Sequence, residues 1–388
     1  MTPAILVLNA GSSSLKFGLY AAADLAPLRR GSREAGPAAA TTAAATMTAA
    51  TTPAARSQAG MLDALLAELD ALAGEVQLVA AGHRVVHGGA RHAVPARVTP
   101  ELLAELEGYA PLAPAHQPYN LAGIGALAAR WPELPQVACF DTAFHRSQPR
   151  LAQLFALPRR YAEEGVLRYG FHGLSYEYIA GQLPRLGIAA DARVIVAHLG
   201  HGASLCALRG SRSIATTMGF STLDGLMMGQ RCGALDPGVV LHLLRRGLDG
   251  RALERLLNEE SGLQGVSGLS DDVRVLEASP DPHALEALEL FAYRVAREIG
   301  SLVAALGGLD ALVFTAGIGE RSAPMRARIA ALSGWAGVEL DAAANARHAE
   351  RISTAGARVA TYVVPTDEEI VIARAARAAI GRAAAAAT

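Results

Sequence analysis

The sequence predicts an α/β protein whose basic unit occurs twice. Three observations carry this. Short apolar runs of strand length alternate with longer segments of helical period. A shift of 189 residues lays 5–16 over 194–205, and each stretch is an apolar strand, a glycine turn at Gly11 or Gly200, and a second strand. The runs 136–140 and 311–314 are apolar except for Gln136, as expected of buried strands. At 388 residues the chain is long for one core, so two domains are expected.

The elements follow in order. Residues 4–20 read as two strands around the turn Gly11-Ser12-Ser13-Ser14. Residues 21–60 hold Gly36-Pro37 and the Ala/Thr-rich stretch 38–55, and read as a loop remote from chemistry. Residues 61–72 have apolar side chains at helical spacing. A strand at 76–81 runs toward His83-Arg84-Val85-Val86-His87, a short helix covers 100–109, and the strand 136–140 leads into Asp141. The second half opens at 194–197 with its strand, turn and strand. A long apolar helix at 284–306, a strand at 311–314 ending in the loop Gly317-Ile318-Gly319, a strand at 359–364 and a helix over 368–379 complete it.

Composition narrows the function. Apolar residues make up 51% and charged residues 18%, which suits a globular protein. Net charge is −1 and the pI about 6.8, so neither nucleic acid nor an anionic membrane is an expected partner. No apolar run is long enough for a transmembrane helix, and no basic leader precedes the first strand, so a cytoplasmic protein is expected. Cys139, Cys206 and Cys232 are too few and too far apart for a disulfide framework or a zinc site, and should be buried free thiols.

Several residues point to phosphate chemistry. Lys16 is the only lysine in a chain that otherwise uses arginine, and it follows the Gly/Ser turn. A compact ammonium beside free backbone N–H groups suits a phosphate, whereas a hairpin with a chance lysine is the plain alternative. The turn lacks the spacing of a Walker loop. With the turns at Gly200 and Gly317 it would suit a triphosphate held from both domains. Arg84 and Arg231 lie among glycine and apolar residues, and a buried guanidinium needs an anion. That anion is either a carboxylate or phosphoryl ligand or an internal partner such as Asp224 or Asp236. Asp141, with Asn9 and Glu368, offers oxygen ligands for Mg²⁺, although Asp141 could equally cap a helix. His172, between Phe171 and Gly173, can donate to a phosphoryl oxygen or be a satisfied core histidine. His83 and His87 have no acidic residue between them and do not read as a zinc site. The segment Ser270-Asp271-Asp272-Val273-Arg274 fits a capped helix start or a nucleotide contact equally well.

These segments, in this order, resemble the acetate kinase family, also called acetate/propionate kinases: VLNAGSSSLKFGLY, GHRVVHGG, APAHQPYNL, FDTAFH, RYGFHGLS, HLGHGASLCA, TTMGFSTLDGLMMGQRCGALDPG, FTAGIGE and VVPTDEEIVIA. The resemblance implies duplicated actin-like (ribonuclease H-like) domains around an interdomain nucleotide cleft. The first domain would be 1–145 plus 368–388 and the second 146–367, with a homodimer formed through the second. It implies reversible transfer of the ATP γ-phosphate to acetate, with Mg²⁺ or else Mn²⁺. By motif position, Asn9, Ser12, Ser14 and Lys16 would lie near phosphates and metal, Asp141 and Glu368 would organise Mg²⁺, and Arg84 and Arg231 would contact carboxylate and phosphoryl group. His116 and His172 would flank the transition state. His201, Gly202, Asp272, Val273, Arg274, Gly317 and Ile318 would meet the nucleotide, and Val86, Ala115, Phe171 and Thr222 would enclose the methyl group.

The chain departs from the family pattern at a few positions. His201 stands where asparagine is usual, and Tyr176 where histidine is common. Gln117, Gln230, Arg321 and Asp367 are further changes. Ala115 replaces a usual leucine, which should widen the acyl pocket and let propionate be used comparably to acetate. A propionate-preferring enzyme and a nucleotide-binding sensor without turnover are the rival readings, His201 being the one feature that favours the sensor.

Overall fold

The computed structural model describes residues 1–11, 14–34, 53–114 and 116–386. Residues 38–52 of the Ala/Thr-rich stretch, Gly36-Pro37, Ser12 and Ala115 lie outside them. The chain divides into two compact units, Met1–Ala143 with Asp367–Thr388, and Phe144–Thr366.

The first unit is built on strands β1 (Thr2–Ala10), β2 (Ser14–Ala21), β3 (Pro27–Glu34), β4 (Val76–Val85), β5 (Ala96–Arg97) and β6 (Gln136–Phe140). Their order in the sheet is β3-β2-β1-β4-β6-β5. β1, β2 and β3 form an antiparallel meander, β4 adds parallel to β1 and β6 parallel to β4, and β5 pairs antiparallel on β6. β1 is apolar on both faces because it is central. On one face Leu6, Leu8, Leu15 and Phe17 pack with Met61, Leu62, Leu65 and Leu69 of the helix Pro53–Ala71. Each such side chain withdrawn from water contributes about 1.5–3 kcal/mol. The helices Gln117–Arg130 and Glu368–Ala386 also lie against β1 and β4.

Two expectations need correction here. The region 21–60 is not one loop, because it contains β3 and the start of the helix Pro53–Ala71. β3 (PLRRGSRE) shows no apolar alternation since it is an edge strand. Backbone pairing to β2 holds it, and Arg29 and Arg33 both reach Glu68. β4 also runs on to Val85 instead of ending at residue 81, so His83 and Arg84 are strand residues. Parallel neighbours on both sides satisfy its backbone whatever the side-chain polarity.

The second unit carries β7 (Arg193–Leu199), β8 (Ala203–Arg209), β9 (Arg212–Thr216), β10 (Ala311–Thr315) and β11 (Ala360–Val363), in the order β11-β10-β7-β8-β9. β7, β8 and β9 again form an antiparallel meander, and β10 and β11 again add in parallel. β7, β8, β9, β10 and β11 thus repeat the connections of β1, β2, β3, β4 and β6. The repeat is not residue-perfect. Ala10 faces Leu15, but Leu199 faces Ala203, so the second hairpin is one residue tighter. The helix Pro282–Leu306 packs on this sheet through a stripe at helical spacing, including Leu288, Phe291, Val295, Ile299 and Leu302. Asp281 caps its start, accepting from the His283 N–H at 2.8 Å. Among the described residues no helix is long and apolar enough to cross a membrane.

Candidate active site

In the first unit, register brings the polar residues together. Asn9 pairs with Lys16 across β1 and β2, and Leu8 pairs with His83 across β1 and β4. Asp141 follows β6 directly. Asn9, Arg84 and Asp141 therefore stand at the carboxyl ends of three parallel strands, where α/β sheets place ligand-binding groups. Arg84 is committed to the other two. Its Nη2 donates to Asp141 Oδ2 at 2.6 Å, its Nε lies 3.1 and 3.2 Å from the two carboxylate oxygens, and its Nη1 donates to Asn9 Oδ1 at 3.2 Å. The Asp141 side chain is 1% exposed, so this is a buried, bidentate pair. Burial opposes the Arg84 charge, but Asp141 and then Glu368 outweigh it and hold its pKa above the ordinary value. Asp141 thus pairs with an arginine. Lys16 is exposed on the neighbouring strand.

Asn9, Asp141 and Glu368 bring an amide and two carboxylates, all hard oxygen donors. Among the described residues no three His, Cys, Asp or Glu side chains are grouped to hold a metal ion by themselves. Such a set suits Mg²⁺, which takes one or two carboxylates and fills its remaining positions with water and phosphate oxygens.

The segment after β4 is pinned by the helix Gln117–Arg130. Asn120 Oδ1 accepts from the Val86 N–H at 2.9 Å, and its Nδ2 donates to the Ala10 carbonyl at 2.6 Å. Gln117 accepts from the His87 N–H and donates to the carbonyls of His87 and Leu106, each at 3.1 Å. His116 is the half-buried N-cap residue of this helix. Gln117 and Asn120 are fully or almost fully buried. Neither could be identified as a positioning residue from sequence, because each meets partners some 30 or more positions away.

The second unit places its candidate residues at the carboxyl ends of β7 and β10. A pocket of about 400 Å³ is lined by Gly200, His201, Asp271, Asp272, Val273, Arg274, Glu277, Gly317, Ile318, Arg321 and Ser322. It gathers His201, Asp272, Val273, Arg274, Gly317 and Ile318 from three distant segments. Asp272 caps the helix Val273–Ala278, accepting from the Arg274 N–H at 2.9 Å, and pairs with the Arg274 guanidinium at 2.5 Å. A helix cap and a pocket wall are thus the same residues. Gly317-Ile318-Gly319 is not a loop but part of a short helix, Ala316–Arg321. The buried Arg326 holds that helix, donating to the carbonyls of Gly319 and Glu320 at 2.9 Å, with burial lowering its pKa to about 10. His201 Nε2 lies 3.0 Å from Asp271 Oδ2, and its ring covers Gly229, where a Cβ would come within 2.8 Å of it.

Beside this pocket lie His172 and Arg231. His172 takes a left-handed backbone, φ +59°, at the start of the helix Gly173–Gln182. That conformation costs a non-glycine residue about 1–2 kcal/mol and is characteristic of functional positions. Its Nδ1 is 2.8 Å from Ser204 Oγ, and its ring stacks on His198 at 4.2 Å. A Cβ on Gly202 would sit 2.8 Å from Arg231 Nη2 and 3.3 Å from His172 Nε2. Only glycine leaves both groups their place, so the turn brings Gly202, His172 and Arg231 to one spot. Arg231 Nη1 donates to the Thr222 carbonyl at 2.6 Å. Phe171 is buried, and its carbonyl lies 2.9 Å from Nε2 of the buried His145. Val86 belongs to the first unit, Phe171 and Thr222 to the second.

Both aspartates suggested as internal partners have roles of their own. Asp224 takes Arg168 at 3.0 Å, and Asp236 caps the helix Pro237–Arg245. Cys139 and Cys206 are buried free thiols, while Cys232 is only half-buried. A model of the Acetokinase family matches residues 4–374. The chain belongs to the acetokinase family. It is 53% identical to an acetate kinase of Rhodopseudomonas palustris over 96% of this chain and 98% of that one. A crystal structure of a propionate kinase from Francisella tularensis is similar at 34% identity with a TM-score of 0.86, covering 97% of this chain and all of that one. The acetate kinase of Porphyromonas gingivalis is similar at 33% identity and a TM-score of 0.83, with coverage of 97% and 100%. The repeated sheet unit is accordingly the duplicated actin-like fold of acetokinases.

Proposed function

We propose that this protein is an acetate kinase: it transfers the γ-phosphate of ATP to acetate, reversibly, giving acetyl phosphate and ADP. The observation that carries the reading is the buried Arg84–Asp141–Asn9 set in a chain of this family. The pocket around Gly317 and Asp272 supports a nucleotide site in the second unit. In this reading the domain 1–145 with 368–388 carries the metal, and 146–367 carries the nucleotide.

The chemistry asks little of covalent catalysis. Acetate is ionised at pH 7 and needs no general base. Its oxygen attacks the γ-phosphorus in line as the bond to ADP breaks, through a loose transition state with charge spread over the phosphoryl oxygens. Arg84 and Arg231 act by position and field on carboxylate and phosphoryl oxygens. Asp141 holds the Arg84 fork in one orientation. His172 and His116 flank the transferring group, Lys16, Ser12 and Ser14 neutralise or bind phosphate oxygens, and Val86, Ala115, Phe171 and Thr222 enclose the methyl group. Mg²⁺, held by Asn9, Asp141 and Glu368, would neutralise phosphate charge when bound.

A homodimer is part of the proposal. The helix Pro237–Arg245 buries none of its residues, and Leu235, Val239, Leu241 and Leu244 are exposed on or beside it. A second copy is the occupant we assign to that face, and sedimentation tests it, with a monomer as the opposing outcome. The activity itself is tested by trapping the acyl phosphate as its hydroxamate, with acetate and propionate side by side. Turnover with acetate is expected. Folded protein that binds ATP yet forms no product would overturn the reading.

A further inference from the structure

We infer that Ser204, with the Tyr176 phenol donating into it, fixes His172 in one tautomer, with Nδ1 bare and the proton on Nε2. His172 is then presented as a neutral hydrogen-bond donor on the side of Gly202 and Arg231. The inference deepens the phosphotransferase reading and rests on it for the donor's target, an oxygen of the transferring phosphoryl group.

The three side chains form a line. Tyr176 Oη is 2.5 Å from Ser204 Oγ, and Ser204 Oγ is 2.8 Å from His172 Nδ1. Tyr176 and Ser204 are both 0% exposed. Among the described residues Ser204 Oγ is the hydrogen-bond partner of the Tyr176 hydroxyl. Three proton orders are conceivable along this line. In one, His172 Nδ1–H donates to Ser204, and Ser204 donates to Tyr176. The phenolic proton is then buried with no acceptor, which folded proteins avoid. In the second, Tyr176 and His172 both donate to Ser204, and the Ser204 proton is the one left without an acceptor. In the third, Tyr176 donates to Ser204 and Ser204 donates to Nδ1, so every proton on the line is used. Burial also keeps the phenol protonated far above its ordinary pKa, so the donor at the end of the line is permanent. A histidine whose Nδ1 accepts must carry its proton on Nε2 to remain neutral.

The ring plane is fixed independently. His198 stacks on His172 with an interplanar angle of 17°, and His198 Nδ1 lies 2.8 Å from Ser175 Oγ, which lies 2.9 Å from Thr366 Oγ1. His198, Ser204 and Gly202 face His172, and the Arg231 guanidinium lies at the same Gly202 position. Nε2 points to the spot where a Cβ on Gly202 would fall, on the Arg231 side. A pre-set donor there loses no time or energy choosing a tautomer as phosphoryl charge develops. Ser204 is the positioning residue in this scheme. It acts through His172 and touches no substrate.

The test reads the tautomer itself. Full-length protein labelled with ¹⁵N-histidine is examined by long-range ¹H–¹⁵N spectroscopy, with His172→Gln for assignment. Wild type should show His172 Nδ1 as the unprotonated nitrogen at neutral pH. In Tyr176→Phe the Ser204 hydroxyl still has Nδ1 as its acceptor, so the tautomer should hold. In Ser204→Ala kcat should fall about tenfold, the worth of one hydrogen bond, with KM for ATP within about twofold. Ser204→Thr, which keeps a hydroxyl, should keep the tautomer, and Ser204→Ala should lose it. Thermal midpoints of all variants separate a folding defect from this effect. A wild-type spectrum with Nδ1 protonated, or an unchanged tautomer in Ser204→Ala, would overturn the inference. The expected tautomer in a protein without kinase turnover would sink the acetate kinase reading and leave the relay standing.

Discussion

The two units share a strand order and place opposite kinds of chemistry at the same point in it. At the carboxyl ends of β1, β4 and β6 the first unit puts an amide, a guanidinium and a carboxylate locked to one another. At the carboxyl ends of β7 and β10 the second unit puts glycine turns, a short helix and a pocket of about 400 Å³. The repeated sheet supplies a location, and the residues at the strand ends supply the function. The hairpins show the same divergence, since the second is a residue tighter and delivers Gly202 between two catalytic candidates.

Substitutions at each end test this division. The largest effect belongs to the charged set. Asp141→Asn strands the Arg84 guanidinium beside two amides, and we expect kcat to fall about a thousandfold, with stability lowered by about 3 kcal/mol. Single-turnover assays and urea unfolding measure both. Activity within tenfold of wild type would break the assignment of charge chemistry to the first unit.

Each unit also hides a histidine. Burial pushes His83 in the first and His145 in the second down to about 4. The unfolded chain binds these protons near pH 6.5 and the native state only near 4, so between those values the unfolded state holds more protons. Stability is complete above about pH 6.5 and falls as pH drops toward 4, by roughly 3 kcal/mol for each histidine. Urea midpoints against pH should show this slope, with His83→Asn and His145→Asn each flattening part of it. A slope absent from wild type would contradict buried neutral imidazoles in both units.

In the second unit, Gly202→Ala should lower kcat about a hundredfold through displacement of Arg231 and His172. The melting temperature should move little, because the turn is at the surface end of the sheet. Full activity in that variant would show that the turn tolerates a side chain. The smallest effect concerns the acyl pocket. Ala115→Leu should shift the preference from propionate toward acetate about fourfold, the worth of one buried methylene. Parallel kcat/KM values for the two acids check it, and an unchanged ratio would remove Ala115 from the pocket.

Legibility followed the range of the interactions. β1, β6, β7 and β10 were readable because burial on both faces leaves continuous apolar runs. β3 was not, because an edge strand of arginines owes its shape to the β2 backbone and to Glu68. The Gly317 helix was missed because glycines look like a loop until Arg326 gathers the carbonyls beyond them. Among candidate residues, Lys16, Arg84 and Arg231 stood out by type and surroundings. Ser204, Tyr176 and Gln117 did not, since small or neutral polar side chains reveal a role only through the partner they meet.

The sequence alone determined an α/β chain with a repeated strand–turn–strand, a family signature across nearly its whole length and a short roster of anion-binding residues. Those properties are local, because they depend on side-chain period, residue type and spacing. The tertiary structure alone decided that Arg84 spends its charge on Asp141, that Asp272 is at once a cap and a pocket wall, and that a buried phenol stands behind His172. Each of these joins groups far apart in sequence, and a hydrogen bond's partner is set by where the folded backbone delivers it.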